Sequence, residues 1–208
     1  KDALVIPMRS DREIQSLQFI NADGIKRFLK YGRKQGCYFS IGNSKGAAAL
    51  AICEGFATGA TIHEATGLPV AVAFDAGNIE PVAKAMRAKF PDLPITLCAD
   101  DDWKKADNPG LTKATAAARS IGGLLALPVF DGDRPDKATD FNDSAARCGL
   151  EAVKRAIANA STPDGAEDQA NEGNAPAGDP DGWREPHPIA TKVEPEPYPI
   201  DALPPSIL

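Results

Sequence analysis

Four short apolar runs, each followed at once by an acid, set the frame of this chain. AAALAIC (47–53) leads into Glu54, LPVAVAF (68–74) into Asp75, LPITLCA (93–99) into Asp100 and GLLALPVF (123–130) into Asp131. Helical spacing fills the gaps: FATGATIHEAT (56–66), IEPVAKAMRAKF (79–90) with Val82, Ala85, Met86 and Phe90 on one stripe, and Pro109 to Ile121 with proline in the first turn. Two further helices are expected at 141–147 and 150–159. Runs that are apolar without alternation suit strands buried on both faces. Strands alternating with helices then predict an α/β fold, a Rossmann-like parallel sheet flanked by helices.

The flanks read differently. Residues 1–46 contain strand-like ALVIPM, SLQFI and CYFSI, with turn signals at Asp23-Gly24 and Gly32 to Gly36, and predict a small β-rich α+β lobe. Charge divides along the same lines: nine Lys/Arg against four Asp/Glu in 1–46, twelve against fifteen in 47–160, two against ten in 161–208. The net charge of −6 therefore hides a basic N-terminal lobe. Ten of the eighteen prolines follow residue 160, and 161–182 has almost nothing to bury, so it is expected to be disordered. Residues 183–208 space Trp183, Ile189, Val193, Tyr198, Ile200 and Leu203 among prolines, either an extended segment with apolar anchors or an ordinary linker. The expected domains are thus 1–46, 47–160 and a tail, 161–208.

No run of 18 apolar residues exists, which excludes a membrane-spanning helix, and the start is too short of apolar residues for a signal peptide. Without an initial Met the chain reads as a fragment or a trimmed chain. Cys37, Cys53, Cys98 and Cys148 form no CxxC pair, which argues against a zinc ribbon or a disulfide scaffold. The expectation is a reduced, cytoplasmic protein.

In open parallel sheets function gathers at the carboxyl ends of the strands. Acids crowded at that edge repel by on the order of a few kcal/mol per close pair. A divalent cation is the natural counter-ion, and hard oxygen donors without nearby His or Cys suit Mg²⁺ or Mn²⁺. Asp131 and Asp133 read as solvated turn acids, and Asp75 as a loop acid or a cap. Glu54 follows an apolar run and precedes Gly55, which permits close backbone approach. Asp100 and Asp102 alternate along the chain, so both can face one side with Asp101 opposite, the arrangement by which a DxD pair holds a metal.

These residues carry a family resemblance. LAICEGFATGATIHEATGLPVAVAFDAGN and, about forty-five residues after Glu54, ITLCADDD resemble the Toprim domain of primases, topoisomerases and related nucleases. TDFNDSAARCG, with Asp140, Asn142 and Asp143, resembles the third acidic motif of bacterial-type primases, with Asn142 where a second acid is expected. The usual short acid–Ala–Gly turn after the DxD pair is replaced by WKKADNPG. VIPMRSDREIQSLQFINADGIKRFLKYG is similar to the small lobe that precedes Toprim in bacterial, phage and plasmid primases, with Pro7 and Arg9 after the first strand and Lys26 to Leu29 after a turn. WREP and PYPIDALP resemble the start of the helicase-like domain that follows Toprim in primase-helicase proteins.

The resemblance implies a DNA primase catalytic core, a nucleotidyltransferase that makes RNA primers on single-stranded DNA for phage or plasmid replication. Asp100 and Asp102, with Asp140, would carry two metal ions, and Glu54 would be a general base or a bridging ligand. Arg9, Lys26, Arg27 and Lys30 would contact template or ribonucleoside triphosphate, as phosphates require positive charge. A replicative helicase domain or subunit would be a partner, with no membrane involvement.

Two other classes remain open: a metal-dependent Toprim nuclease of the OLD type, and a non-catalytic DNA-binding Toprim module. A topoisomerase needs a tyrosine nucleophile in a cleavage domain, and Tyr31, Tyr38 and Tyr198 all lie in the lobe or the tail. IGNSKG (41–46) lacks phosphate-loop spacing. His63 reads as an ordinary helix position, and Cys53 and Cys98 as strand packing.

Overall fold

The structure, a computed structural model, describes residues 2–10 and 12–163. The tail readings from residue 164 onward lie outside the described residues.

Strands β1 (Ala3–Ser10), β2 (Glu13–Asn21) and β3 (Lys26–Phe28) form a three-stranded antiparallel sheet in that order. β1 and β2 pair as a hairpin whose register shifts between Met8 and Arg9. Ile6 and Met8 of β1 and Ser16 and Gln18 of β2 are buried, the period-two pattern of strands with one covered face. β3 was not anticipated as a strand. It is only three residues long and its two leading residues are exposed cations.

The second sheet has five strands in the order β4 (Phe39–Ile41), β6 (Val70–Val72), β5 (Leu50–Cys53), β7 (Ile95–Cys98), β8 (Leu124–Ala126). The last four are parallel, each from one expected apolar run. β4 joins β6 antiparallel, so CYFSI contributes an edge strand to the larger sheet. The two sheets meet at a backbone bridge between Arg9 and Tyr38.

Strands β5, β6 and β7 are buried throughout because helices cover both faces, while β8 at the edge is only partly covered. Leu50 and Ile52 pack with α2 (Ile79–Lys89) and α3 (Pro109–Ile121). Ala51 and Cys53, pointing the other way, pack with α1 (Phe56–Thr66), α4 (Phe141–Cys148) and α5 (Leu150–Ala158), through Ile62, Phe141 and Val153. α1 and α3 begin and end where the spacing placed them, because their ends carry strong local signals. Gly67 takes the left-handed cap of α1 at φ 71°. Asn108 and Pro109 start α3, with Asn108 Oδ1 accepting from the Leu111 amide at 3.4 Å.

The chain is still bound to this sheet at Ser161, which exchanges backbone hydrogen bonds with Leu125 of β8. Among the described residues no helix is long and apolar enough to cross a membrane.

Candidate acidic site at the carboxyl edge of the sheet

Three of the four strand-end acids face a shared centre. Glu54 follows β5, Asp75 lies just beyond β6, and Asp100 lies just beyond β7. Asp131 does not join them. It is exposed, 3.7 Å from Arg155, and Asp133 beside it is exposed as well, in keeping with solvated turn acids.

Burial and mutual repulsion dominate the centre. Loss of solvation, then the fields of Glu54, Asp140 and Asp102, push the Asp100 carboxyl up to about 8, with Lys26 opposing them. Burial and the fields of Asp75 and Asp102 likewise raise Glu54, opposed by Lys26 and Lys105. Asp100 Oδ1 is buried and has no hydrogen-bond partner among the described residues. A buried carboxylate oxygen without a donor is costly, and a cation is the ligand that relieves both this and the crowding.

Asp101 points away, as the alternation predicts. Its Oδ2 accepts from Arg134 at 2.5 Å and its Oδ1 accepts from the side-chain Nδ2 of Asn108 at 2.5 Å. Asp102 is largely covered, and its Oδ1 accepts from Lys105 at 2.8 Å. Lys105 belongs to the WKKADNPG segment, which thus delivers a cation to the acids, a role that spacing could not show. A second device of that segment is Gly110: a Cβ there would run into the Asp100 carbonyl oxygen, so glycine lets α3 start directly against the end of β7.

Asp140 reaches the centre electrostatically but is also structural. Its Oδ1 caps α4 by accepting from the Asp143 amide at 2.8 Å, and its Oδ2 accepts from Thr58 Oγ1 at 2.8 Å. Asn142 Oδ1 accepts from Thr61 Oγ1 at 3.0 Å. The third acidic motif therefore docks α4 onto α1 while presenting Asp140 to Asp100. Asp75 caps the 3₁₀ turn Ala76–Asn78, its Oδ1 accepting from the Asn78 amide at 3.1 Å, and pairs through Oδ2 with Lys34 at 2.8 Å.

The four expected basic contacts separate. Lys26 of β3 turns toward the acids: its Nζ lies 3.8 Å from where a Cβ on Gly55 would stand. Arg27, next along the strand, faces a recess with Ala3, Phe19, Asn21 and Ile25. Lys30 is exposed and lies over the Tyr31 ring, 4.8 Å from its centre. Arg9 donates to the Arg12 carbonyl at 3.0 Å. Lys34, outside that set, reaches Asp75 and also lies 4.5 Å over Phe28. His63 sits mid-helix, its Nδ1 2.7 Å from the Leu68 carbonyl, and Cys53 and Cys98 are buried with their thiols pushed up by desolvation.

Among the described residues no three His, Cys, Asp or Glu side chains stand close enough to form a finished metal cage. The donor set is nonetheless all carboxylate, and the orphaned Asp100 oxygen lies within it, which fits a hard divalent cation.

Comparison with known proteins bears on the family of this chain. The Toprim_3 family, described as a Toprim domain, matches residues 49–151. A DNA primase TraC from Escherichia coli is 44% identical over 128 residues, covering 58% of this chain and 12% of that protein. A second Escherichia coli DNA primase TraC is 45% identical over 122 residues, 55% of this chain and 8% of that one. The chain thus corresponds to a small part of these relatives. The crystal structure of the RNA polymerase domain of Mycobacterium tuberculosis primase DnaG aligns at a TM-score of 0.49 and 16% identity, over 77% of this chain and 56% of that one.

Proposed function

From the premise that residues 49–151 are a Toprim domain of the bacterial-type primases, we propose that this chain is the catalytic core of a DNA primase that joins ribonucleotides on a single-stranded DNA template. The reading rests above all on the half-buried acids Glu54 and Asp100 facing Asp102 and Asp140, with Lys26 of the antiparallel sheet turned toward them.

The reaction is in-line: the 3′-hydroxyl oxygen of one nucleotide attacks the α-phosphorus of the next, and the bond to the β-phosphate oxygen breaks to release pyrophosphate. Glu54 takes the hydroxyl proton, and its upward-shifted carboxyl makes it a better base than an ordinary glutamate. Asp100 and Asp102, with Asp140 behind them, would hold one or two Mg²⁺ or Mn²⁺ ions. Bound there, such ions supply charge that lowers the hydroxyl pKa, orients the triphosphate and offsets the negative charge on the leaving pyrophosphate. Lys26 steers the triphosphate toward the acids, and Arg9, Arg27 and Lys30 contribute positive charge along the antiparallel sheet. A replicative helicase domain or subunit is the expected partner.

The test is primer synthesis on single-stranded DNA with Mn²⁺; because bacterial-type primases use a separate zinc-binding module to engage the template, such a module is supplied in trans if the chain alone is silent. Glu54→Gln keeps the size and removes the base, and the rate should fall by roughly two to four orders of magnitude. A chain that makes no primer but nicks DNA with Mn²⁺, and loses nicking in Glu54→Gln, belongs to the nuclease class instead.

A further inference from the structure

The WKKADNPG insertion carries a side chain that nothing above uses. Trp103 directly follows Asp102 and keeps 40% of its surface exposed. Single exposed apolar residues are common, but this one is mounted rigidly. The Arg134 guanidinium lies 5.3 Å from the Trp103 ring centre and 4.3 Å from that of Phe130, stacked against both. Arg134 is itself held by Asp101 Oδ2 at 2.5 Å, the Asp101 carbonyl at 2.8 Å and the Ala138 carbonyl at 2.7 Å. The loop is closed by the Lys105 amide on the Asp102 carbonyl at 2.7 Å and by Asn108 on Asp101 at 2.5 Å.

A fixed indole with an open surface is a stacking platform, since every nucleobase presents a π-face and little conformational entropy is lost on contact. The remaining cover is weak. Lys104 Nζ sits 4.2 Å from the ring centre and 3.2 Å from Asp136, with about half of its side chain exposed. An arriving strand can take that ammonium onto a phosphate while its base takes the ring.

We propose that Trp103 stacks a base of single-stranded DNA at the rim of the acidic site, with Lys104 meeting the adjoining phosphate. This rests on the primase reading for its ligand. Its test uses no catalysis.

The chain has two tryptophans, so Trp183→Phe leaves Trp103 as the sole indole. A thymidine oligonucleotide is titrated at low salt with EDTA present, following both tryptophan emission and the anisotropy of a label on the strand. Emission should quench saturably with the anisotropy change. An abasic strand of equal length should bind more weakly and leave emission unchanged. Trp103→Ala should weaken binding by roughly 5- to 150-fold, and Trp103→Phe should restore most of it. Should Trp103→Ala unfold, the quenching of the intact indole still decides the matter. Binding without quenching, or equal quenching by the abasic strand, overturns the platform and leaves the primase reading standing. No binding of any strand overturns both. Quenching in a chain that makes no primer even with the zinc module in trans upholds the platform and counts against the primase.

Discussion

The ammonium of Lys105 lies 2.8 Å from Oδ1 of Asp102, across a turn closed by the Lys105 amide on the Asp102 carbonyl. The pair is asymmetric: the lysine is 65% exposed and the aspartate only 15%. A mobile, hydrated cation thus sits on the accessible side of a nearly covered carboxylate, where it also moderates Glu54.

Removing that cation should raise metal affinity. Lys105→Met leaves the carboxylates with less compensation, so Mn²⁺ should bind several-fold more tightly by calorimetry. The metal-free chain should lose at most about 1 kcal/mol, the ordinary worth of an exposed pair. Weaker Mn²⁺ binding would mean that Lys105 organises the site instead of competing for it.

The metal-free chain should become less stable as pH rises. Asp100 has a folded-state pKa of about 8, above its unfolded value of 3.8, so folding favours its protonated form. That contribution is complete below about pH 4 and disappears as pH climbs through 8; Glu54 shifts in the same direction. Thermal melts with EDTA at pH 5, 7 and 9 should show Tm falling, and Mn²⁺ should restore it most at pH 9. A Tm that rises over this interval contradicts the buried-acid picture.

Neighbours on β3 should behave differently. Lys26 turns toward the acids and Arg27 toward the Ala3, Phe19, Asn21 and Ile25 recess. Lys26→Gln should weaken binding of a fluorescent ribonucleoside triphosphate by roughly tenfold, while Arg27→Gln should leave it nearly unchanged. Each should reduce the salt slope of DNA binding by about one unit if it touches a phosphate. Equal effects on the nucleotide would remove the distinction between the faces.

Gly110→Ala should destabilise the fold by about 1–3 kcal/mol, because the new methyl meets the fixed backbone carbonyl of Asp100 and α3 has to withdraw. Urea melts measure this, and the same shift should weaken Mn²⁺ binding. An unaltered midpoint would show that the start of α3 yields freely.

What the residues disclosed in advance follows a physical line. Strands such as LPITLCA are legible because burial on both faces leaves a continuous apolar run, and α3 is legible because Asn108, Pro109 and Gly122 act locally. β3 escaped notice because Lys26 and Arg27 carry no hydrophobic pattern, and the strand exists through its pairing with Gln18, Phe19 and Ile20. Glu54, Asp100 and Asp102 were visible as strand-end acids. The pairing of Lys34 with Asp75 was not, since forty-one residues separate them and only the fold brings them together. Nor could spacing reveal that both oxygens of Asp140 already hold Thr58 and the Asp143 amide.

Asn78 ties the Gly36–Cys37 segment to the end of β6. It accepts from the Gly36 amide at 2.7 Å and donates to the Cys37 carbonyl at 2.9 Å and the Ala73 carbonyl at 2.7 Å, all from a side chain that is almost wholly buried. The segment leading out of the antiparallel sheet is thereby riveted to the end of the strand that carries Asp75. Such a rivet makes a poor hinge. Lys26 and the strand-end acids are thereby presented to a ligand at a separation that the fold itself sets.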